Sequence, residues 1–458
     1  QQKVLNSYGY PMGLADYSAF ILGGLPKQGQ TLEEVKDLLL NEIKKLRAGE
    51  FDEKMLQANI NNFKLYELQS MESNEGRADI FVNSFINGTN WEDEVTAIDR
   101  MAKLTKEDIV AFADKYLKED NYAVVYKKQG KDPNEKKMTK PEITPIVSNR
   151  DVASPFLTSI QENAVKPIEP VFLDFKKDMS QLTAKSDIPV LYKQNTTNDL
   201  FQLIYVFDMG NNNDKALGTA FDYLEYLGTS DMTPEELKSE FYRLACTFYV
   251  SPGNERTYVV LSGLNENMPA AMQLFEKLLA DAQVNKEAYD NLVGDILKAR
   301  ADAKLNQGQN FSRLMNYAMY GPKSPATNLL TEAELASMNP QELVDRIHNQ
   351  NNYKHRILYY GPSSSKDLLA TIEQYHQVPA TLKDIPAGNE YSYLETPATK
   401  VLVAPYEAKQ IYMAQISNLD KKYDPAIEPT RELYNEYFGG GMNSIVFQEM
   451  RETRGLAY

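Results

Sequence analysis

Apolar positions recur along the chain with two spacings, which predict helices alternating with strands. Helical spacing is clear in TLEEVKDLLLNEIKKL, where Thr31 and Glu34 form a capping box that satisfies two backbone amides. The same signature opens TPEELKSEFYRLA, with Thr233 as N-cap, Pro234 at the first helical position and Glu236 three residues after the cap. Aromatic and β-branched runs such as LIYVF, TYVVLSG and HRILYYG predict strands. The pattern is typical of an α+β protein.

Two internal repeats indicate that the chain is built from similar units. Segment 104–126 matches segment 338–360 at an offset of 234 (360 − 126), and each is predicted to be an amphipathic helix, a turn and an aromatic-rich strand. The segment starting at Val190 matches the one starting at Val401 at an offset of 211 (401 − 190), and each is predicted to be two strands joined by a polar turn. We therefore expect tandem repeated units of helices layered on a mostly antiparallel sheet.

These repeats predict three α+β pieces separated by two linkers. The pieces are 1–126, 178–377 and 399–458, and the linkers are 127–177, which is rich in Lys, Pro and polar residues, and 378–398. The last piece is much shorter than its repeat partner, and the first begins on strand-like sequence without a preceding hairpin. The chain also opens on Gln rather than Met. We therefore expect a fragment cut through domains of a longer protein.

Composition excludes two classes of function. A net charge of −15 argues against a nucleic-acid surface, which relies on clustered Lys and Arg. No apolar run approaches the roughly 18 residues that a membrane-spanning helix needs. The single cysteine, Cys246, lies in the apolar run FYRLACTFYV, so we predict a buried thiol rather than a nucleophile.

The stretch FDYLEYLGTS has the spacing of a zinc motif without its histidines. In the motif H-x-x-E-H two imidazoles one helical turn apart bind zinc, and the carboxylate acts as general base. Here Asp222 and Tyr226 stand at the two histidine positions, and Glu225 stands at the acidic one. An aspartate is a weak zinc ligand and a tyrosine is a poor one, so we predict no metal at this helix.

The three histidines do not replace the lost ligands. His348, His355 and His376 are separated by 7 and 21 residues, with no Cys or acidic ligand in register. We expect surface or strand-packing histidines.

The C-terminal run YFGGGMNSIVFQEMRETRGLAY contains a second group of candidates. Its glycines lack the Lys-Ser/Thr of a P-loop, so we predict a tight loop after a helix, where Gly440 and Gly441 allow close approach of the backbone and positive φ. A helix carrying Arg451 is expected to stop around Gly455, which lets Arg451 and Tyr458 converge. A guanidinium and a phenol together can hold a substrate carbonyl and stabilise an oxyanion. The alternative is a surface Arg and a packed Tyr.

The same run resembles the signature of the later domains of the pitrilysin and insulin-degrading enzyme family, the inverted zinc metallopeptidases or inverzincins. FDYLEYLGTSDMTPEELKSEF is similar to the zinc-helix region of that family. The resemblance covers essentially the whole chain and implies the LuxS/pitrilysin-like metallopeptidase fold. It assigns the pieces in order as the end of domain two, the linker between the halves, a degenerate domain three, a short linker and the start of domain four.

The resemblance also implies a function. Family members close two halves around an unfolded peptide, with zinc in domain one, which would precede residue 1 here. Asp222, Glu225 and Tyr226 would then mark a degenerate copy. Arg451 and Tyr458, together with Gly440 and Gly441, would bind the substrate backbone beside the scissile bond. We expect part of a zinc metalloendopeptidase, inactive alone and holding no cofactor, whose partners are a peptide or unfolded polypeptide and the missing N-terminal half.

Two other functions stay open within the same family. One is a non-catalytic structural or assembly subunit, and the other is a peptide-binding, chaperone-like chamber. Retention of Arg451 and Tyr458 favours the enzyme, because an assembly protein has no chemical need for that pair. The expected compartment is a bacterial periplasm or cell envelope.

Overall fold

The chain forms two compact units in a computed structural model. The structure describes residues 3–14, 16–131, 136, 138–139, 152–408, 410–418 and 423–456. The first unit comprises Gln1–Arg300 and Leu329–Asn389, and the second comprises Ala301–Asn328 and Glu390–Tyr458. In the described residues, no helix is both long and apolar enough to cross a membrane.

The first unit begins with a two-stranded antiparallel hairpin followed by helices. The strands are β1 (Asn6–Gly13) and β2 (Ser18–Leu25). The helices are α1 (Leu32–Arg47), α2 (Lys54–Ser70), α3 (Asn74–Asn87), α4 (Trp91–Val95), α5 (Ala97–Met101) and α6 (Lys106–Tyr116). The predicted capping box at the start of α1 is confirmed, since Thr31 and Glu34 each accept a hydrogen bond from the other's backbone amide. The α1 helix packs on β2 and on α6.

A six-stranded sheet forms the centre of the first unit. Its strands are β3 (Ser180–Thr183), β4 (Pro189–Gln194), β5 (Leu200–Phe207), β6 (Cys246–Pro252), β7 (Thr257–Leu264) and β8 (Arg356–Gly361). They lie in the order β3-β4-β8-β5-β7-β6, and only the β4–β8 pair is parallel. The predicted strands β4 and β5 form, but they do not pair with each other because β8 lies between them. The predicted α+β class with a mostly antiparallel sheet is confirmed.

Among the residues that the structure describes, ten further helices follow α6. They are α7 (Pro155–Gln161), α8 (Leu217–Leu224), α9 (Pro234–Arg243), α10 (Met268–Asp281), α11 (Lys286–Ala303), α12 (Gln307–Tyr320), α13 (Glu332–Ser337), α14 (Pro340–Asn349), α15 (Ser365–Tyr375) and α16 (Glu428–Asn435). The predicted capping box of α9 is present, with Thr233 as N-cap, Glu236 as its partner and Pro234 at the first turn.

The main core of the first unit lies between the sheet and helices α8, α10, α14 and α15. Alternate residues of β5, namely Leu203, Tyr205 and Phe207, are buried there, as period-two patterning requires. A smaller apolar cluster joins Leu65 of α2 to Leu200, Ala245 and Leu264. The sheet is therefore bound to the N-terminal helices by apolar contacts as well as to its own helices.

Two predicted strand segments are irregular in the structure. Residues 122–126 form no strand, and Val125 is almost fully exposed. Likewise, the described residues of 401–416 contain no strand, and Val401 and Ile411 are exposed. Both predictions were wrong because a strand needs a neighbour to pair with, and the described residues place no sheet beside either segment.

Where it is described, the second unit has helices as its only regular secondary structure, and residues 390–408 and 410–418 are irregular. It contains α12 and α16, and α16 continues into a π-helical turn, Glu436–Gly440. A second π-helical segment spans Phe447–Thr453.

Candidate functional site

The residues at the H-x-x-E-H positions lie on α8 and directly after it. Phe221, Tyr223 and Leu224 are buried in the core. Asp222 and Glu225, the C-cap residue, are exposed, whereas Tyr226 is partly buried. The apolar residues of α8 thus fix its orientation and turn Asp222 and Glu225 away from the core, while Tyr226 packs against it.

The motif residues form an acidic group with a residue from α11. Burial raises the pKa of Tyr226, and the nearby Glu225, Asp295 and Asp222 raise it further. Although Asp222 reaches solvent, desolvation by surrounding atoms raises its pKa, and the charge of Glu225 adds to the effect. Desolvation also raises the pKa of Asp295, while Lys27 opposes that shift. The sequence analysis does not identify Asp295, because it lies 69 residues beyond Tyr226 (295 − 226).

The donors at this group do not fit a catalytic zinc. A catalytic zinc site needs three well-placed ligands, usually imidazole nitrogens or thiolates with a carboxylate. Here the group offers carboxylates and a phenol, and the ammonium of Lys238 lies 5.8 Å from the centre of the Tyr226 ring. Across the described residues, no three His, Cys, Asp or Glu side chains are arranged to hold a metal ion. We therefore assign no chemical step to zinc at α8.

The contacts of α8 are those of a structural element. The hydroxyl of Tyr223 donates to the carbonyl oxygen of Asn285 at 2.6 Å and accepts from the Asn285 amide at 2.9 Å. The ring of Tyr223 packs edge-on against Tyr289, with centroids 5.8 Å apart. Since Asn285 directly precedes α11, this clamp fixes α8 to the start of that helix.

Two of the three histidines are buried and pack on a strand, which is one of the two placements expected, since the rings of His355 and His376 both lie against Tyr205 of β5. His355 and His376 lie in the core, where their Nε2 atoms are 2.9 Å apart, and Nδ1 of His376 is 2.6 Å from Glu276. Nε2 of His348, which is partly buried, lies 3.1 Å from the carbonyl oxygen of Ala282. One signal of this cluster is present in the sequence, because Glu276 interrupts the apolar face of α10.

The predicted Arg451 and Tyr458 pair is only partly covered by the structure. Arg451 lies in the π-helical segment 447–453, with its guanidinium 4.7 Å from the centre of the Phe447 ring and Nε 3.9 Å from Glu452. The segment ends before Gly455, whose φ of 58° is left-handed. Tyr458 lies outside the described residues. Convergence of the pair therefore remains a prediction.

The glycine run adopts a different geometry from the one expected. Gly440 ends a π-helical turn, and Gly441 is extended with φ −132° and ψ 174°. Neither has a positive φ. The carboxylate of Glu436 lies close to both, and a Cβ on Gly441 would meet its Oε1 at 2.8 Å. Close approach, rather than left-handed backbone, is thus what glycine permits here. The substrate-binding role of the two residues stays a prediction.

The single cysteine is a buried thiol, as predicted. Cys246 begins β6 inside the core, and burial raises its pKa to about 12. A thiol of this kind supplies almost no thiolate at neutral pH, so it is not a nucleophile.

Curated relatives of the chain are zinc proteases. An uncharacterized zinc protease of Rickettsia felis is 21% identical over 262 residues, covering 54% of this chain and 60% of the relative. The uncharacterized zinc protease SCO5738 of Streptomyces coelicolor is 24% identical over 263 residues, covering 53% and 55%. The uncharacterized zinc protease YmxG of Bacillus subtilis is 23% identical over 246 residues, covering 52% and 57%. The chain spans little more than half the length of these relatives.

Two solved structures are similar to parts of the chain, while no model of a protein family matches it. A peptidase M16 inactive domain from Pseudomonas fluorescens is 19% identical with a TM-score of 0.45, covering 61% of this chain and 69% of that one. The periplasmic protease PqqL from Escherichia coli is 13% identical with a TM-score of 0.44, covering 87% and 47%. The zinc-protease relatives confirm the resemblance to zinc metallopeptidases noted in the sequence: over about half of its length, the chain is similar to zinc proteases.

Proposed function

We propose that the chain is the part of a zinc metalloendopeptidase that forms the wall of a peptide chamber and supplies Arg451 and Tyr458, but not the zinc ligands. One observation supports the proposal. The run from Asp222 to Tyr226 has the length of H-x-x-E-H with Asp222 and Tyr226 at the histidine positions, and α8 is packed into the core. The domain assignment of 1–126, 178–377 and 399–458 belongs to the same proposal.

The chemistry assigned to this chain is substrate binding and charge stabilisation. Arg451 and Tyr458 donate hydrogen bonds to the carbonyl oxygen of a bound peptide and stabilise the negative charge that develops there. Gly440 and Gly441 let the peptide approach the backbone closely. Zinc, held by an upstream domain, supplies the activated water.

The proposed partners follow from assigning substrate binding to this chain and zinc binding to an upstream domain. The substrate is a peptide or an unfolded polypeptide, and the second partner is the N-terminal half of the same protein. The proposed compartment is a bacterial periplasm or cell envelope, which fractionation of the native host would test.

The test is hydrolysis of a quenched fluorescent peptide by the longer protein, with and without a zinc chelator. We expect chelator-sensitive cleavage that falls at least about tenfold in Arg451→Ala and in Tyr458→Phe, equivalent to about 1.4 kcal/mol of transition-state stabilisation. The matched control is Arg454→Ala, because Arg454 follows the same segment and its guanidinium lies 3.8 Å from Glu449 at the surface. This control is expected to keep full activity.

Two results of this test would each contradict a different part of the proposal. If the longer protein folds and binds peptide but cleaves none, the enzyme proposal is wrong and the chain is a part of a non-catalytic assembly subunit or of a chaperone-like chamber. If cleavage occurs but the two variants match Arg454→Ala, the peptidase stands and the roles of Arg451 and Tyr458 are wrong.

A further inference from the structure

A buried carboxylate in the main core accepts hydrogen bonds from several directions. Glu276 of α10 is 1% exposed. Its Oε1 accepts from the hydroxyl of Tyr205 at 2.9 Å. Its Oε2 accepts from the side-chain amide of Asn351 and from the backbone amide of Gln377, both at 3.0 Å. These three donors satisfy a negative charge without water.

The hydrogen-bond pattern then sets the protons on the two histidines. Nδ1 of His355 is 2.7 Å from the carbonyl oxygen of Tyr353, which can only accept, so Nδ1 carries a proton. Neutral His355 therefore offers a bare Nε2. The Nε2 of His376 lies 2.9 Å away and must be the donor of that contact. His376 thus carries a proton on Nε2.

The other nitrogen of His376 faces the carboxylate. Its Nδ1 is 2.6 Å from Oε1 of Glu276, so one proton must lie between these two atoms. His376 is therefore hydrogen-bonded through one ring nitrogen to Glu276 and through the other to His355.

Helix α15 ends at this cluster. His376 is its C-cap, and the segment that follows packs against the core through Val378, Leu382 and Ile385. The amide of Lys383 donates to the carbonyl oxygen of Asn352 at 2.7 Å, and the amide of Lys354 donates to that of Lys383 at 2.9 Å. Because residues 352–354 directly precede His355, these bonds tie the segment after α15 to the chain that leads into β8.

We propose that Glu276, His376 and His355 form an acid-sensitive latch, in which the ring of His376 fastens the segment after α15 to α10 and to the start of β8. In acid, a proton on Nε2 of His355 would face the N–H of His376 across 2.9 Å. Two N–H donors then oppose each other, and the contact between the histidines breaks.

The surroundings of His355 set the pH range in which its protonation opens the latch, and that range lies below neutral pH. Burial and the charge of His376 lower the pKa of His355 to about 4. The remaining ionisable groups of the cluster are Glu276 and Tyr205, and burial raises the pKa of Tyr205 well above its usual value, so it stays neutral. When the latch opens, His355 regains the pKa of a solvated histidine, about 6.5. Protonation therefore favours the open state as pH falls from about 6.5 towards 4.

Hydrogen exchange of residues 376–389, corrected for the intrinsic chemical rate, tests the latch. Opening in the unaltered chain is expected to increase about twentyfold from pH 7 to pH 5. In His355→Gln the amide oxygen still accepts from His376 but cannot titrate, so opening should change by less than about twofold. His348→Gln is the matched control and should keep the twentyfold response, because His348 bonds to Ala282 outside the cluster.

Two results would overturn the latch: opening that does not respond to pH in the unaltered chain, or an undiminished response in His355→Gln. A second measurement does not depend on any variant. The chain has only 3 histidines, so ¹⁵N spectra of their side chains are simple to assign. At pH 7 we expect a proton on Nδ1 of His355 and none on its Nε2. A proton on Nε2 of His355 at pH 7 would refute the latch.

Discussion

Removing the hydroxyl of Tyr223 tests whether α8 is held by hydrogen bonds to the chain instead of by a metal. Tyr223 is 0% exposed, and its hydroxyl bonds both the carbonyl oxygen and the amide of Asn285. Tyr223→Phe keeps the ring and its edge contact with Tyr289, so the buried apolar area is retained. The change removes two hydrogen bonds to Asn285, a residue that is itself exposed, so water can reach the freed backbone groups. Each such hydrogen bond contributes about 0.5–1.5 kcal/mol, and we expect a loss of about 2 kcal/mol in the free energy of unfolding.

Urea unfolding at pH 7, followed by far-UV circular dichroism, measures this loss. Two other tyrosines give a graded comparison. Tyr289→Phe removes one buried hydrogen bond, to the carbonyl oxygen of Leu335 at 2.6 Å, and should cost about 1–2 kcal/mol. Tyr249→Phe, on the edge strand β6 with its ring 52% exposed, should cost less than about 0.5 kcal/mol.

The ranking of the three variants by their loss in the free energy of unfolding decides whether the clamp stabilises the fold. If Tyr223→Phe costs no more than Tyr249→Phe, water or a rearranged loop replaces the hydroxyl, and the clamp between α8 and Asn285 does not stabilise the fold.

Three further predictions follow from individual contacts. Thr233→Ala removes the capping box of α9 and should lower the free energy of unfolding by about 1 kcal/mol, measured by urea unfolding beside Thr371→Ala, a partly buried threonine of α15 that caps no helix. The pKa of His355 is lower in the folded than in the unfolded chain, so protonation of this residue should lower stability by about 3 kcal/mol between pH 7 and pH 4, and unfolding curves of His355→Gln should lack this part. Zinc or a chelator should shift the melting temperature of the chain by less than about 1 °C, because the donors at α8 do not fit zinc and only a metal that binds the folded state raises the melting temperature.

Helices were predicted well because their signals are local. The repeated segments 104–126 and 338–360 both contain the predicted helix, α6 in one and α14 in the other. Only the second contains the predicted strand. There β8 pairs with β4 on one side and β5 on the other, whereas no described strand lies beside 122–126. The same aromatic and β-branched pattern thus forms a strand or not according to partners that are distant in the sequence.

The candidate site, like the fold, could be predicted from the sequence only where the signal is local. The exposure of Asp222 and Glu225 follows from the spacing of the apolar residues on α8. The proximity of Tyr226 to Asp295 does not, because α11 reaches Tyr226 only in the folded sheet-and-helix unit. The Glu276 and His376 contact joins residues 100 apart in sequence, which no periodicity reports. A charged residue on an apolar helix face is the one local sign that a buried polar partner exists.

Two groups of hydrogen bonds in the first unit join segments that are far apart in sequence. Tyr223 bonds to the residue before α11, and Glu276 bonds to β5, to the end of α15 and to the turn before β8. Apolar packing alone tolerates small shifts between layers, but a buried hydrogen-bonding group is costly wherever its partner is displaced. These contacts therefore penalise alternative packings of the same apolar faces more than they add to stability. Hydrogen bonds of this kind are what hold α8 and α15 in single positions.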